Sequence, residues 1–332
     1  MPTFEASAPT RVDLAGGTLD IWPLYLLHPG SVTINVAIDR RAWCRVSTDV
    51  NGVRLESRDT TVDAEGRDLS ELIAKGSLPF LANILRALGI ETGIHVTTHS
   101  RVPAGSGLGV SSALAVAVAA AASQAIGKRL APDELWPIVR DAEACSAGVP
   151  TGIQDYQAAL LGGVLDIRLV PGRVSAERLA LDPARVEAHL LLVDAGVTRF
   201  SGINNWEIVK RRIDGEPEVV AALTAIASVA QRMRGALVDQ RYGDVAALLR
   251  EEWEARKRMA PAVTTPEIDR IADIAVAAGG AARACGAGGG GMVAVWIAPE
   301  ARADATARLH EAGFQADPIH VDLQGLSVEE VP

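Results

Sequence analysis

The chain has 332 residues, of which 48% are hydrophobic and 22% are charged, and its formal net charge is −9. A chain of this length can bury a large core without disulfide staples, and roughly 100–200 residues per domain predicts two domains. The acidic balance argues against a nucleic-acid-binding surface, which needs a basic face, but it permits a local positive pocket for an anionic substrate.

The cysteines and the N-terminal segment give an expectation for the cellular compartment. Cys44, Cys145 and Cys285 are far apart and form no CxxC pair, which favours a reducing compartment and no structural zinc. The first residues, MPTFEASAPTR, lack the apolar region of a signal peptide, and the apolar stretch 113–122 is too short to span a bilayer. We therefore expect a cytoplasmic protein with neither nucleic-acid nor membrane partners.

Strands and helices are predicted in mixed order along the chain. β-Branched residues at 31–48 predict one or two strands, and a helix is predicted over 69–89, ending at Gly89. Further strands are predicted at 93–99, 164–170, 189–195, 292–298 and 316–322. Further helices are predicted from a glycine-rich turn at 103–109 to about residue 126, and at 132–147, 217–238, 243–259, 266–279 and 300–312. This mixture is typical of an α+β fold. The change in helix content predicts domains 1–185 and 186–332.

The most informative segment is Val102-Pro-Ala-Gly-Ser-Gly-Leu-Gly-Val-Ser-Ser-Ala113, between a predicted strand and a long helix. Its glycines let the backbone turn tightly, and the helix that follows presents unpaired N–H groups and the positive end of its dipole. These features predict a phosphate-binding loop. The residues assigned to it are Pro103, Gly105, Ser106, Gly107, Leu108, Gly109, Ser111 and Ser112.

Two common phosphate-binding motifs do not fit this loop. A Walker A loop would end in Gly-Lys-Ser/Thr, and no lysine is present. A dinucleotide fingerprint would need its third glycine where Val110 stands. Taken alone, the loop could also be a strand–helix turn that binds no ligand.

Three segments together resemble the motifs of the GHMP kinase family (galactokinase, homoserine, mevalonate and phosphomevalonate kinases). The loop at 103–113 resembles the central motif, residues 8–20 resemble the N-terminal motif in its sugar-kinase form, and residues 285–291 resemble the glycine-rich third motif. They occur in the family's order and spacing. The resemblance implies two lobes, an N-lobe like the second domain of ribosomal protein S5 and a ferredoxin-like C-lobe, with ATP and Mg²⁺ as cofactors.

The resemblance also implies the catalytic residues. It places Glu143 with the Ser111 hydroxyl on magnesium, and Asp155 against the acceptor hydroxyl with Arg11 as its cationic partner. Such chemistry is reasonable, because an aspartate can accept a hydroxyl proton and Mg²⁺ prefers a few protein oxygens with phosphates and water. Plainer interpretations remain for each: a solvated helix glutamate, a turn or helix-cap aspartate, and a surface strand arginine.

Further residues are assigned to the two substrates. Gly288 and Gly289 of the third motif are expected at the triphosphate, and Asp20 matches the aspartate that takes sugar hydroxyls in galactokinase-like members. Asp20 could also be only a loop aspartate. Those expected at the acceptor are Asp20, Gly17, Gly152 and Arg199, the last as the candidate for a substrate phosphate.

Other details resemble the heptose 7-phosphate kinase branch of the family, such as Gly-x-Gln-Asp at 152–155. The sequence departs from the usual pattern at Leu19, Val110, Cys285 and the Tyr-Gln order after Asp155. The expected function is thus phosphoryl transfer from ATP to a sugar or sugar phosphate. A kinase for a non-sugar alcohol such as mevalonate and a non-catalytic binding homologue remain alternatives, and the oligomeric state is open.

Overall fold

The computed structural model describes residues 2–48, 50–103, 105–196 and 205–332, which form two β-sheets covered by helices. The strands are β1 Thr3–Ala15, β2 Val32–Ser47, β3 Val53–Ser57, β4 Val62–Gly66, β5 Ile94–Ser100, β6 Val164–Val170, β7 Arg173–Arg178, β8 Leu190–Asp194, β9 Ala281–Ala284, β10 Met292–Trp296, β11 Gln315–Pro318 and β12 Ser327–Val331. The α-helices are α1 Leu69–Ala74, α2 Pro79–Ala87, α3 Val110–Ala125, α4 Pro132–Ala147, α5 Gln154–Leu161, α6 Pro183–His189, α7 Asn205–Ile213, α8 Pro217–Val238, α9 Tyr242–Met259, α10 Pro266–Ala277 and α11 Arg302–Glu311.

The larger sheet has the strand order β12-β1-β2-β5-β3-β4, and β6 also pairs with β2 and then with β7. The long strand β2 makes this branching possible, because its first half pairs with β6 and its second half with β5. The last strand, β12, returns from the far end of the sequence to pair antiparallel with β1. This sheet therefore contains residues from both ends of the described chain.

Helix α3 packs on β1 and β2 and is buried around most of its circumference. Its sequence, VSSALAVAVAAAASQA, combines the best helix former with side chains small enough for a close approach to the sheet. Because the helix is apolar on nearly all sides, it belongs in the interior rather than at the surface. Its burial fixes the position of its N-terminus and of the glycine-rich loop that precedes it.

The smaller sheet is antiparallel in the order β11-β8-β10-β9. Helices α10 and α11 pack against it, and the long pair α8 and α9 lies between it and the larger sheet. One apolar core includes Val12 and Leu14 from the larger sheet, Leu190 and Ala294 from the smaller one, and Met233 from α8. The two lobes thus share a packed interior.

The expected two-lobed α+β organisation is confirmed. The prediction of one helix over 69–89 is wrong: the chain forms α1 and α2, because Gly76 and Leu78 both adopt positive φ before Pro79 begins the second helix. The segment 31–48 forms one strand, β2. The strand β1, which carries Arg11, was not predicted. The domain boundary near residue 185 stays a prediction.

Within the described ranges, no helix combines the length and the apolar composition that crossing a bilayer requires.

Candidate active site

A cavity of about 470 Å³ lies where the glycine-rich loops of the two lobes meet. This volume is in the range of small-molecule sites in proteins. The sequence-predicted residues that line it are Arg11, Asp20, Gly105, Ser106, Gly107, Gly109, Ser111, Ser112, Glu143, Gly152 and Asp155.

The two glycine-rich loops contact each other through their backbones. A Cβ added at Gly107 would lie 2.3 Å from the Cys285 carbonyl oxygen, and one added at Gly291 would lie 2.7 Å from the Ser106 oxygen. The Met292 N–H donates to the same Ser106 oxygen at 2.9 Å. Side chains at these glycines would force the loops apart, so the central and third motifs form one continuous wall of the cavity.

The N-terminus of α3 opens into this wall. Gly109 precedes the helix with a φ of 73°, and as a glycine it offers no side chain to cap the first turn. The first N–H groups of a helix need an external partner, and the helix dipole favours an anion there. This end of α3 is therefore suited to bind phosphate oxygens, as the sequence predicted.

Arg11 and Asp155 form a close ion pair beside this helix end. The Arg11 Nε donates to Asp155 Oδ1 at 2.7 Å, and its Nη1 donates to the Gly107 carbonyl oxygen at 2.6 Å. A Cβ added at Gly109 would lie 2.8 Å from Asp155 Oδ2. The guanidinium thus joins the glycine loop to the carboxylate, and the carboxylate lies directly against the start of α3.

The Asp155 carboxylate is a stronger base than an ordinary aspartate. Burial raises its pKa, while the Arg11 guanidinium acts in the opposite direction and offsets part of the effect. The Arg11 Nε and Nη2 each lie 2.7 Å from Oδ1, and among the described residues Oδ2 has no hydrogen-bond donor. One oxygen is therefore held in place, and the other is left for a ligand hydroxyl.

Glu143 is held by three hydroxyl groups. Ser111 donates to one carboxylate oxygen, and Ser112 and Tyr156 donate to the other at 2.8 Å each. Burial raises the Glu143 pKa, and these donors oppose the rise. Tyr156 is fully buried, so it holds the Glu143 carboxylate from the protein interior, whereas Ser111 lines the cavity.

These residues fit a magnesium ion that also binds phosphates. No group of three or more His, Cys, Asp and Glu side chains suited to a metal exists in the described part of the chain. A Glu143 carboxylate and a Ser111 hydroxyl supply two oxygens beside the end of α3. Mg²⁺ commonly uses only one or two carboxylates and takes its other ligands from phosphates and water.

Asp20 lines the cavity and also accepts two backbone hydrogen bonds. Its Oδ2 accepts from the N–H groups of Ile153 and Gln154, at 2.7 and 2.9 Å, at the start of α5. A Cβ at Gly152 would lie 2.3 Å from the same oxygen, so glycine is required there. Burial raises the Asp20 pKa to about 6. The carboxylate thus ties the loop at 16–20 to the helix that carries Asp155.

Some predicted residues lie away from the cavity. The Leu108 side chain is fully buried in the core, and Pro103 and Gly17 are not part of the lining. The Gly289 N–H donates to the Val263 carbonyl oxygen, and Gly288 packs against the same residue. The third motif lines the cavity through Gly286 and Ala287 instead. Arg199 lies outside the described residues.

Sequence reasoning missed two groups of residues. The first group lines the cavity from β3, the turn after β3, α2 and β5, and consists of Ser57, Asp59, Phe80, Leu81 and Thr98. The second group consists of Asp13, Thr18 and Gln154. Asp13 and Thr18 lie inside the N-terminal motif, which is a signal that could have identified them, whereas no sequence signal marks the first group.

Two family matches cover most of this site. Residues 73–163 match the family described as GHMP kinases N terminal domain, and residues 233–313 match the one described as GHMP kinases C terminal. The first match contains the loop before α3, Glu143 and Asp155. The second contains the glycine-rich loop at 285–291.

Individual relatives agree with these matches. The chain is 27% identical over 316 residues to D-glycero-alpha-D-manno-heptose 7-phosphate kinase of Campylobacter jejuni, covering 90% of this chain and 91% of the relative. It is 30% identical over 353 residues to a galactokinase of Mycobacterium bovis, covering 95% and 94%.

A solved structure shows the same fold. A D-glycero-D-manno-heptose 1-phosphate kinase from Bacteriodes thetaiotaomicron superimposes with a TM-score of 0.79 at 22% identity, over 99% of both chains. Shared motifs, full-length relatives and a shared fold lead to one conclusion, which is that the chain belongs to the GHMP kinase family.

Proposed function

We propose that the chain is an ATP-dependent sugar kinase, which transfers the γ-phosphoryl group of ATP to a hydroxyl of a heptose 7-phosphate or a related sugar. Its relatives support the sugar acceptor, since the Campylobacter jejuni relative is a heptose 7-phosphate kinase and the Mycobacterium bovis relatives are galactokinases. Whether the acceptor already carries a phosphate decides between these two kinds of substrate.

One contact supports the proposal above all others: the Asp155 carboxylate lies against the N-terminus of α3, at Gly109, with Arg11 bonded to both sides of the junction. Phosphoryl transfer depends mainly on placing the nucleophile in line with the phosphoryl group and on stabilising its charge. A phosphate site and a proton acceptor in direct contact meet that requirement.

On the nucleotide side, the loop at 105–109 and the first turn of α3 hold the triphosphate through backbone N–H groups. Gly286 and Ala287 of the third motif face the same space and complete the wall. The part of the cavity lined by Phe80, Leu81 and Thr98 is left for the base and ribose. ATP bound in this way has its terminal phosphate toward Asp155.

Glu143 and Ser111 would hold the magnesium ion. Bound there, Mg²⁺ would neutralise charge on the phosphate oxygens, which is the chemistry that a divalent ion supplies to phosphoryl transfer. The three hydroxyl donors keep the Glu143 carboxylate at the mouth of the phosphate site.

On the acceptor side, Asp155 orients the sugar hydroxyl and takes its proton through Oδ2. Arg11 holds Oδ1, and its positive charge lies beside the reacting groups, where it stabilises charge that builds up on the transferred phosphoryl group. Asp20 offers its remaining oxygen to sugar hydroxyls, and Gly152 leaves room for the approach.

The first test compares wild-type protein with Asp155→Asn in an ADP-release assay with Mg-ATP. The acceptors are a heptose 7-phosphate, neutral hexoses and heptoses, mevalonate and homoserine. Loss of the proton acceptor is expected to lower kcat about 10²- to 10⁴-fold, with KM for both substrates within a few-fold. Asp141→Asn, on the exposed side of α4, is the matched control and keeps wild-type turnover.

The panel also separates the alternatives. Turnover of mevalonate or homoserine but of no sugar would replace the acceptor class and keep the kinase. Binding of ATP and a sugar without turnover would indicate a non-catalytic homologue. An Asp155→Asn variant within a few-fold of wild type would show that the assigned role of Asp155 is wrong.

A further inference from the structure

Four charged side chains are buried together where the two lobes meet, and we call them the interlobe cluster: Asp13, Glu252, Arg256 and Arg283. Asp13 lies on β1, Glu252 and Arg256 lie on α9, and Arg283 lies on β9. Their exposed fractions are only 0–3%. Two carboxylates and two guanidinium groups balance in charge, so their burial is compatible with a stable fold only while all four remain paired.

Each member of the cluster has an oppositely charged partner. The Arg256 Nε donates to Glu252 Oε1 at 2.7 Å, and the Arg283 Nη2 donates to Asp13 Oδ2 at 3.0 Å. The Arg283 Nη1 lies 3.1 Å from Glu252 Oε1. Although burial acts to raise the pKa of Asp13, the guanidinium groups of Arg283 and Arg256 hold that pKa below its usual range. Asp13 is therefore ionised at neutral pH.

Arg256 extends from the cluster to a loop of the cavity, residues 16–20, which we call the acceptor loop. Its Nη2 donates to the Gly17 carbonyl oxygen at 2.7 Å, and its Nη1 donates to Thr18 Oγ1 at 3.0 Å. Thr18 has a φ of 78°, a left-handed conformation that is unfavourable for a β-branched residue. A residue persists in such a conformation only when its surroundings hold it there.

Direct contacts connect the acceptor loop to the interlobe cluster on one side and to the start of α5 on the other. Gly17 packs so tightly on the cluster that a Cβ would lie 2.2 Å from Asp13 Oδ2. Three residues later, Asp20 accepts the N–H groups of Ile153 and Gln154, directly before Asp155. Thr18 and Asp20 both line the cavity. The path from Arg256 to the acceptor side is thus a series of direct contacts.

We infer that Arg256 is a positioning residue of the second lobe that sets the shape of the acceptor loop and so the affinity for the sugar, without acting on the nucleotide. The inference rests on the proposed sugar kinase function. It predicts that KM for the acceptor and KM for ATP respond differently to changes at this residue.

The central experiment compares wild type with Arg256→Lys and Thr18→Val. A lysine keeps the charge of the cluster but lacks the planar fork that reaches Gly17 and Thr18 at once, so the acceptor KM is expected to rise about tenfold and the ATP KM to stay within about twofold. Thr18→Val removes only the hydroxyl and shifts the acceptor KM in the same direction, less strongly. Thr18→Ser keeps the hydroxyl, so its acceptor KM should rise less than that of Thr18→Val.

A second readout does not depend on activity. In the unliganded protein, the Leu19 and Ile21 amides bond to oxygens within the acceptor loop, those of Gly16 and Thr18. Hydrogen exchange of these two amides should be about tenfold faster in Arg256→Lys, because the loop loses its fixed contacts. Exchange in α3 should be unchanged. The matched control is Arg232→Lys, because Arg232 lies on the neighbouring α8 and forms an exposed ion pair with Glu251 of α9.

The two readouts separate the possible failures. If wild type phosphorylates no sugar but Arg256→Lys still frees the loop amides, the proposed function is wrong and the positioning role stands. If those amides exchange as in wild type, or if both KM values rise together with a fall in the unfolding temperature, Arg256 only supports the fold and the inference is overturned.

Discussion

Backbone groups line one end of the cavity, and charged side chains line the other. The proposed nucleotide end consists largely of backbone: glycines of two loops in direct contact and the first turn of α3, which follows Gly109. The proposed acceptor end consists of charged side chains, Asp20, Asp155 and Arg11, and lies next to the interlobe cluster. A backbone site recognises any phosphate chain, whereas a side-chain site can be altered residue by residue. This division allows one family fold to keep its phosphate donor while its acceptors differ.

After Asp155→Asn, the largest effect is expected where the two ends touch, at Gly109. In Gly109→Ala, the new Cβ would lie 2.8 Å from Asp155 Oδ2, and the φ of 73° is unfavourable for alanine. Displacement of both the helix end and the carboxylate should lower kcat/KM about 100-fold or more. Steady-state kinetics with ATP and the acceptor varied in turn measure this change.

Gly127→Ala is the matched control for Gly109→Ala. Gly127 has a φ of 76°, but a Cβ added there would have no neighbouring atom within 4 Å, so this variant carries the same backbone strain without the contact. Its activity should stay near that of wild type while its stability falls by about 1 kcal/mol. Equal losses of activity in both variants would contradict the assigned contact between Gly109 and Asp155.

A smaller effect, on the acceptor KM and not on the ATP KM, is expected at Asp20. Asp20→Asn keeps an oxygen that can accept the Ile153 and Gln154 N–H groups but removes the charge offered to sugar hydroxyls. The acceptor KM should rise about tenfold with little change for ATP, since a hydrogen bond to a charged group contributes more than a neutral one. Asp182→Asn, at the exposed N-cap of α6, controls for loss of a capping carboxylate.

The difference in unfolding free energy between wild type and Asp20→Asn should depend on pH. Burial raises the Asp20 pKa from 3.8 to about 6, so the folded state binds the proton more tightly than the unfolded state. Between these pKa values, the stability of wild type relative to Asp20→Asn should therefore fall as pH rises, by on the order of 2–3 kcal/mol in total. Urea unfolding of both proteins from pH 4 to pH 7 measures the difference; a flat difference would mean that Asp20 is not buried as described.

The smallest effect is expected at Tyr156. Tyr156→Phe removes one of three hydroxyl donors to Glu143 and leaves Ser111 and Ser112 in place. The Mg²⁺ concentration for half-maximal rate should rise a few-fold, because the outer contacts of a metal ligand orient it. Tyr242→Phe is the control, since the buried Tyr242 hydroxyl has no partner among the described residues. An unchanged Mg²⁺ requirement would place the metal elsewhere.

The sequence predicted the glycine-rich loop and the helix after it well, because their determinants are local. A glycine loop and the helix after it are adjacent in the chain, and α3, α4 and α8 begin and end close to their predicted limits. Arg11 and Asp155 were also found, although only through their positions in recognisable motifs. The family and its two-lobed fold followed from the order of those motifs.

The acceptor end was predicted less completely because its contacts join distant segments. Nothing local to Asp13, Glu252 or Arg283 indicates that they meet in one buried cluster. Nor does the third motif reveal that the Gly289 amide is already bonded to Val263. The split of the predicted helix at 69–89 depended on a left-handed Leu78, a conformation that no propensity scale anticipates. Tertiary packing decided each of these points.

The pairing of β12 with β1 has a consequence for how the molecule is made. The strand that carries Arg11 and Asp13 is translated long before its neighbour on one side, which spans Ser327–Val331. During synthesis, β1 can pair with β2 early, but its other edge has no partner until the second lobe has been translated. An unpaired edge is open to wrong partners. This edge of β1 therefore stays without its native partner during synthesis until β12 has been translated.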